Sequence, residues 1–138
     1  MLVTTHAMIA STVAIKTGNP YIYLPFAAAD HFLLDAFPHF GGEVIEKHFR
    51  PMVVLDAVLG ITLFLILARY TEFSVFILFV VCLLAGWPDL ILAYQKFINP
   101  KKLPKFAKFH VGIQKLEFPL GVLIELVIVS GCLMLIFL

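Results

Sequence analysis

Long apolar runs decide what this chain can fold into. The segments 73–94 and 120–138 each contain a single acidic or basic side chain, Asp89 in the first and Glu125 in the second. Such runs are typical of helices that cross the hydrocarbon core of a membrane, which takes about 20 residues. With 62% hydrophobic and 14% charged residues, the sequence predicts an integral membrane protein that has lipid as its solvent.

Glycine, proline and short polar stretches divide these runs into helices. The pattern predicts one all-α domain, 1–138, that forms a membrane bundle of four to five transmembrane helices. The predicted helices are 3–16, 21–37, 51–68, 73–94 and 109–137. The first two are short for a span, so a four-span bundle in which they form a re-entrant hairpin is the alternative. Pro88 predicts a kink or a restart within the fourth helix.

Basic side chains predict the orientation of the bundle. Six of the ten Lys and Arg residues fall in the segment 96–115, and with a cytoplasmic N-terminus eight of the ten face the cytoplasm. The positive-inside rule therefore predicts a multi-pass protein with its N-terminus in the cytoplasm. The expected location is a bacterial or archaeal inner membrane. Membrane lipid is the expected partner and nucleic acid is not, while a homo-oligomer is left open.

Polar side chains of several predicted helices fall at one depth, near the cytoplasmic face. An ionisable group inside a membrane costs about 2.5–3.5 kcal/mol and is usually paired or functional. His31 and Asp35 are four residues apart and share a helix face, and His110 and Gln114 repeat this spacing. This convergence predicts either a metal site or a buried polar network that joins the helices.

Imidazole and carboxylate groups are ligands of zinc, manganese and iron. The predicted cofactor is therefore a divalent metal, zinc first, with manganese or iron as alternatives. The predicted ligands are His6, His31, Asp35, Asp89 and His110. Five ligands exceed the three or four that one zinc usually takes from a protein, so either two ions bind or one residue orients a ligand from outside.

Four further polar residues have less specific roles. Asp56 and Glu117 are the candidates for a catalytic general base. Glu125 near mid-membrane is best interpreted as structural, with a proton site or a partner of a metal ligand as alternatives. Asp30 points about 100° away from His31 on a helix and is interpreted as a helix-end or interface residue.

Several short motifs resemble a known family. The segment DHFLLDAFPHFG resembles the sHLLlDalTPHG segment of the small bacterial membrane-bound metal-dependent hydrolases, and TTHAMIAS resembles their N-terminal THxxxG segment. WPDLI and FHVGIQ are similar to their LPDxD and HRGxTHS segments. The motif order differs here, Ile91 replaces the second aspartate of LPDxD, and Gln114-Lys115 replaces the second histidine of HRGxTHS.

The resemblance covers about a third of the chain and implies a helical bundle with presumed hydrolytic activity, distantly like zinc-dependent phospholipase C. By position it singles out the same five ligands. The leading hypothesis is a metal-dependent hydrolase of a lipid or lipid-linked (phospho)ester at the cytoplasmic interface. The alternative is a non-enzymatic membrane protein, for ion binding, transport or assembly, whose polar layer is structural.

Overall fold

The computed structural model describes residues 1–40, 47–98 and 105–138, which are almost entirely helical. The helices are α1 (Val3–Thr17), α2 (Pro20–Asp35), α3 (Phe49–Tyr70), α4 (Val75–Ile98), α5 (Lys105–Ile113) and α6 (Leu120–Phe137). Two three-residue strands, β1 (Pro38–Phe40) and β2 (Lys115–Glu117), pair in parallel. The all-α class is confirmed, with this short β pair as an addition that the sequence did not predict.

Three of the described helices, α3, α4 and α6, are long and apolar enough to span a membrane. Helices α1 and α2 have 15 and 16 residues and are shorter than the about 20 residues of a full span. Four to five spans therefore stay a prediction. Helix α4 runs unbroken through Pro88, so the predicted restart at this residue is wrong.

Helix α1 occupies the centre of the bundle and packs on α2, α3, α4 and α6. It forms an antiparallel hairpin with α2, and Gly18 closes the turn with a left-handed φ of 59°. Small residues such as Ala10 and Ala14 are fully buried and allow close contact with neighbouring helices. Its other buried residues are mostly polar: Thr4, Thr5, His6, Met8, Ser11 and Thr12.

Two carboxylates, one from α3 and one from α6, accept hydrogen bonds from the first N–H groups of α1. Asp56 of α3 accepts from the N–H groups of Val3 and Thr4 at 2.9 and 3.1 Å. Glu125 of α6 accepts from the Leu2 N–H at 3.1 Å and from the Thr5 hydroxyl at 2.7 Å. Negative charge at a helix N-terminus satisfies unpaired donors and opposes the helix dipole, so both acids stabilise the start of α1.

Replacement of Glu125 by leucine is expected to destabilise the bundle. Besides its two bonds to α1, Glu125 accepts from the Phe40 N–H of β1 at 3.0 Å, and its side chain is buried. Leucine would leave three donors without an acceptor, and each costs about 1–3 kcal/mol when buried. Thermal unfolding in detergent should show a marked fall in Tm for Glu125→Leu and a smaller fall for Glu125→Gln, which keeps one acceptor. A wild-type Tm for the leucine variant would contradict this structural role.

Candidate metal centre

The structure brings the five predicted ligands together from four helices. His6 comes from α1, His31 and Asp35 from α2, Asp89 from α4 and His110 from α5. Four of them are completely buried, whereas the Asp89 side chain is 16% exposed. Metal ligation itself stays a prediction, and the arrangement of donor atoms decides whether it is chemically reasonable.

Two imidazole nitrogens lie close to one carboxylate oxygen of Asp35. His110 Nε2 lies 2.9 Å from both Asp35 Oδ2 and His31 Nε2, and His31 Nε2 lies 3.4 Å from the same carboxylate oxygen. Asp89 Oδ1 is slightly farther away, 3.8 Å from His31 Nε2 and 3.6 Å from His110 Nε2. His6, His31 and Asp89 form a second group that could hold an ion. Around Asp35 Oδ2 the closest set is His31, Asp35 and His110, whose ligand atoms lie within 3.4 Å of one another.

These separations fit a shared cation. Zinc binds imidazole nitrogen and carboxylate oxygen at about 2.0–2.2 Å, which places two ligands of one ion about 3.0–3.5 Å apart. The distances within the set fall in or next to this range. Without a cation, two imidazole nitrogens at 2.9 Å need a proton between them, and that proton is then not available to Asp35.

The backbone of α4 fixes the orientation of His31. Its Nδ1 lies 2.8 Å from the Ala85 carbonyl, which can only accept, so Nδ1 carries a proton. In a neutral ring Nε2 then has a free lone pair that faces Asp35 and His110. Metal-bound histidines commonly donate their other ring nitrogen in this way.

The other oxygen of Asp35 faces a second group of nitrogens. Oδ1 lies 3.3 Å from His6 Nε2 and 3.6 Å from His39 Nε2, and it accepts from the amino group of Met1 at 2.8 Å. The His6 ring also stacks on His31, with centroids 4.0 Å apart. Asp35 is therefore the residue that joins both groups.

Sequence reasoning missed His39 because Pro38 ends the helix that carries His31 and Asp35. In the structure β1 returns the His39 ring to the cluster, and its Nδ1 donates to the Phe37 carbonyl at 2.8 Å. His39 Nε2 is buried and has no hydrogen-bond partner among the described residues. Burial lowers the pKa of the His39 imidazole, which favours a neutral ring able to bind a cation. The signal available in the sequence was the four-residue spacing between Asp35 and His39.

The remaining polar candidates have different surroundings. Gln114 directs its amide to Asp35 Oδ2 at 3.1 Å and to His110 Nε2 at 3.3 Å, so it belongs to the cluster. Asp56 holds the start of α1, and a general-base role for it stays a prediction. The side chain of Glu117 lies outside the described part of the structure. Asp30 is buried inside α2 beside His31 and not at a helix end, and its carboxylate accepts no hydrogen bond of ordinary geometry from the described residues. The alternative that Asp30 is an interface residue stays a prediction.

Aromatic side chains form a wall behind His110. Phe106 stacks on Trp87 with ring centroids 5.0 Å apart, and it also stacks on His110 at 6.4 Å. Phe32 contacts the same three rings edge-on. Trp87 therefore contributes to packing near the cluster.

Comparisons with known proteins identify no relative of this chain. No family model matches it, and neither a curated protein nor a solved structure shows significant similarity. The resemblance to membrane-bound metal-dependent hydrolases therefore stays a prediction.

Proposed function

We propose that this protein is a membrane-embedded, metal-dependent hydrolase of a lipid or lipid-linked (phospho)ester. The observation that supports this most directly is the convergence of His31 Nε2, His110 Nε2 and Asp35 Oδ2 within 3.4 Å, with His31 Nδ1 tied to a backbone carbonyl. Two neutral nitrogens and one carboxylate oxygen form a donor set that suits zinc, with manganese or iron as alternatives. Five nearby donors allow one or two ions.

Each residue then has a distinct task. A divalent metal held by His31, Asp35 and His110 would polarise an ester or phosphoester and make a bound water more acidic. The Ala85 carbonyl keeps the His31 lone pair directed inward. Asp89 stands slightly outside the tight set and is partly exposed, so its carboxylate is placed to accept a proton from an attacking water.

The proposed location is the cytoplasmic interface of a bacterial or archaeal inner membrane. The three apolar helices agree with a membrane protein, and the basic segment 96–115 begins in the last turn of α4, which carries Asp89. The cluster would then lie where the acyl ester and phosphate groups of lipids are found. The short α1–α2 hairpin supports a re-entrant arrangement that carries His6, His31 and Asp35 to this depth.

The test is metal analysis together with lipid hydrolysis. Protein purified without chelators should contain stoichiometric metal and cleave phospholipid in detergent micelles, and a chelator should remove both properties until zinc is restored. His31→Ala should lose both, while the exposed Glu72→Gln should keep both. Wild-type protein without metal, even after zinc addition, would instead identify the cluster as a buried polar network.

A further inference from the structure

A deep apolar cavity separates α3 from α4 and leads to the metal centre. Its volume is about 620 Å³, within the usual range for small-molecule sites of about 300–1,000 Å³. Its walls come chiefly from α1, α3 and α4 and are mainly aliphatic and aromatic. The side chains that shape it include Ala57, Phe64, Phe79, Leu83 and Leu90.

Helix α3 packs more closely on α1 than on α4. Asp56 binds α1, and at the middle of α3 a Cβ added to Gly60 would lie 3.0 Å from Thr4 Oγ1. The same stretch of α3 borders the cavity on the side of α4. Its residues Ile61 and Leu65 line the cavity and are exposed, so the cavity is open to the apolar surface of the bundle.

The polar end of the cavity coincides with the metal centre. Asp89 and Gln114 line the cavity and also contact the cluster, so a molecule in the cavity reaches the edge of the metal centre. Lys96 also lines this cavity, and its ammonium lies 4.8 Å from the centre of the Phe49 ring. Apolar walls that end in a cation and a metal centre match a lipid with an anionic head group.

We propose that this cavity, hereafter the α3–α4 groove, holds one acyl chain of an anionic phospholipid and places its phosphate beside the Lys96 ammonium, at the edge of the metal centre. The inference rests on the proposed function, which it deepens by naming the substrate class and the residues that select it. Ala57 of α3 and Leu83 of α4 both line the groove, so the size of their side chains limits the width of the chain that enters.

Photocrosslinking in nanodiscs tests this proposal. Phosphatidic acid with a diazirine on its acyl chain should label wild-type protein within 57–64 and 79–90. Ala57→Trp fills the groove and should reduce labelling of these segments about tenfold. Val58→Trp is the matched control, because Val58 is 55% exposed and does not line the cavity, and it should keep wild-type labelling. Lys96→Gln should reduce the preference for phosphatidic acid over phosphatidylcholine.

The outcomes separate this inference from the proposed function. Stoichiometric metal without labelling of the groove, or equal labelling in Ala57→Trp and wild type, would overturn the inference and leave the hydrolase proposal standing. Groove labelling in a protein that binds no metal would support the lipid site and overturn the hydrolase. Metal content and Tm monitor folding of Ala57→Trp, and Leu83→Trp on the opposite wall replaces it if it does not fold.

Discussion

Asp35→Ala is expected to abolish metal binding. Its two oxygens face His31 and His110 on one side and His6 and His39 on the other, so no other side chain can replace it. Loss of a partner outside the coordination sphere already reduces metal affinity about 10- to 100-fold, and loss of this central carboxylate should cost more. Metal analysis after dialysis against free zinc measures the effect, and hydrolysis should disappear in parallel.

Two further variants, Asp35→Asn and Glu72→Gln, serve as controls for Asp35→Ala. Asparagine keeps the size of the side chain but removes its charge, so it should also lose metal, which separates charge from packing. Glu72 is an exposed carboxylate in the turn between α3 and α4, and Glu72→Gln should retain full metal content. Retention of metal by both Asp35 variants would place the metal elsewhere or show that none binds in this cluster.

Gly121→Ala is expected to disrupt the centre from a distance. Gly121 lies in the first turn of α6, and a Cβ there would collide with the backbone of His39 and Phe40 in β1. Overpacking costs about 1–3 kcal/mol, and the upper end applies here because a backbone cannot rotate away like a side chain. Displacement of β1 would move His39 from Asp35, so both Tm and metal affinity should fall.

Gly131→Ala is the matched control on the same helix. A Cβ at Gly131 meets nothing within 4 Å, and alanine favours a helix over glycine by about 0.5–1 kcal/mol. Its Tm should therefore equal or exceed that of the wild type. Similar unfolding temperatures for the Gly121 and Gly131 variants would show that β1 does not pack against α6 as described.

Hydropathy predicted the long apolar helices, whereas the number of spans stays a prediction. The single predicted helix 109–137 is wrong, because α5 ends at Ile113 and β2 precedes α6. The predicted range 51–68 falls within α3, and the strongest runs became α4 and α6, because lipid-facing helices must be apolar over their length. Helix α1 differs from these helices in its surroundings, because it is packed among other helices. Its buried Thr5, His6 and Ser11 find partners in the bundle, so its hydropathy understates how deeply it is buried.

The five clustered residues were predictable from spacing and depth, whereas their hydrogen-bond partners were not, and metal binding by the cluster stays a prediction. The four-residue interval placed His31 and Asp35 on one face, and the common depth added residues from other helices. The group that orients His31 is the backbone carbonyl of Ala85, and a backbone contact cannot be predicted from the type of side chain. His39 lies beyond the end of α2, and only β1 brings its ring back to the cluster. The sequence does not show which helix N-terminus a carboxylate contacts, so the binding of Asp56 and Glu125 to the start of α1 could not be predicted.

The two acids that bind the start of α1 also determine when the contacts of this helix can form during protein synthesis. Leu2 and Thr5 bind a carboxylate more than one hundred residues later in the chain, and Val3 and Thr4 bind one about fifty residues later. Among the described helices, α1 is made before the others, yet the hydrogen bonds at its start are complete only when α6 has been made. Until α6 has been made and inserted, the polar face of α1 must be shielded by water, lipid head groups or an insertion factor.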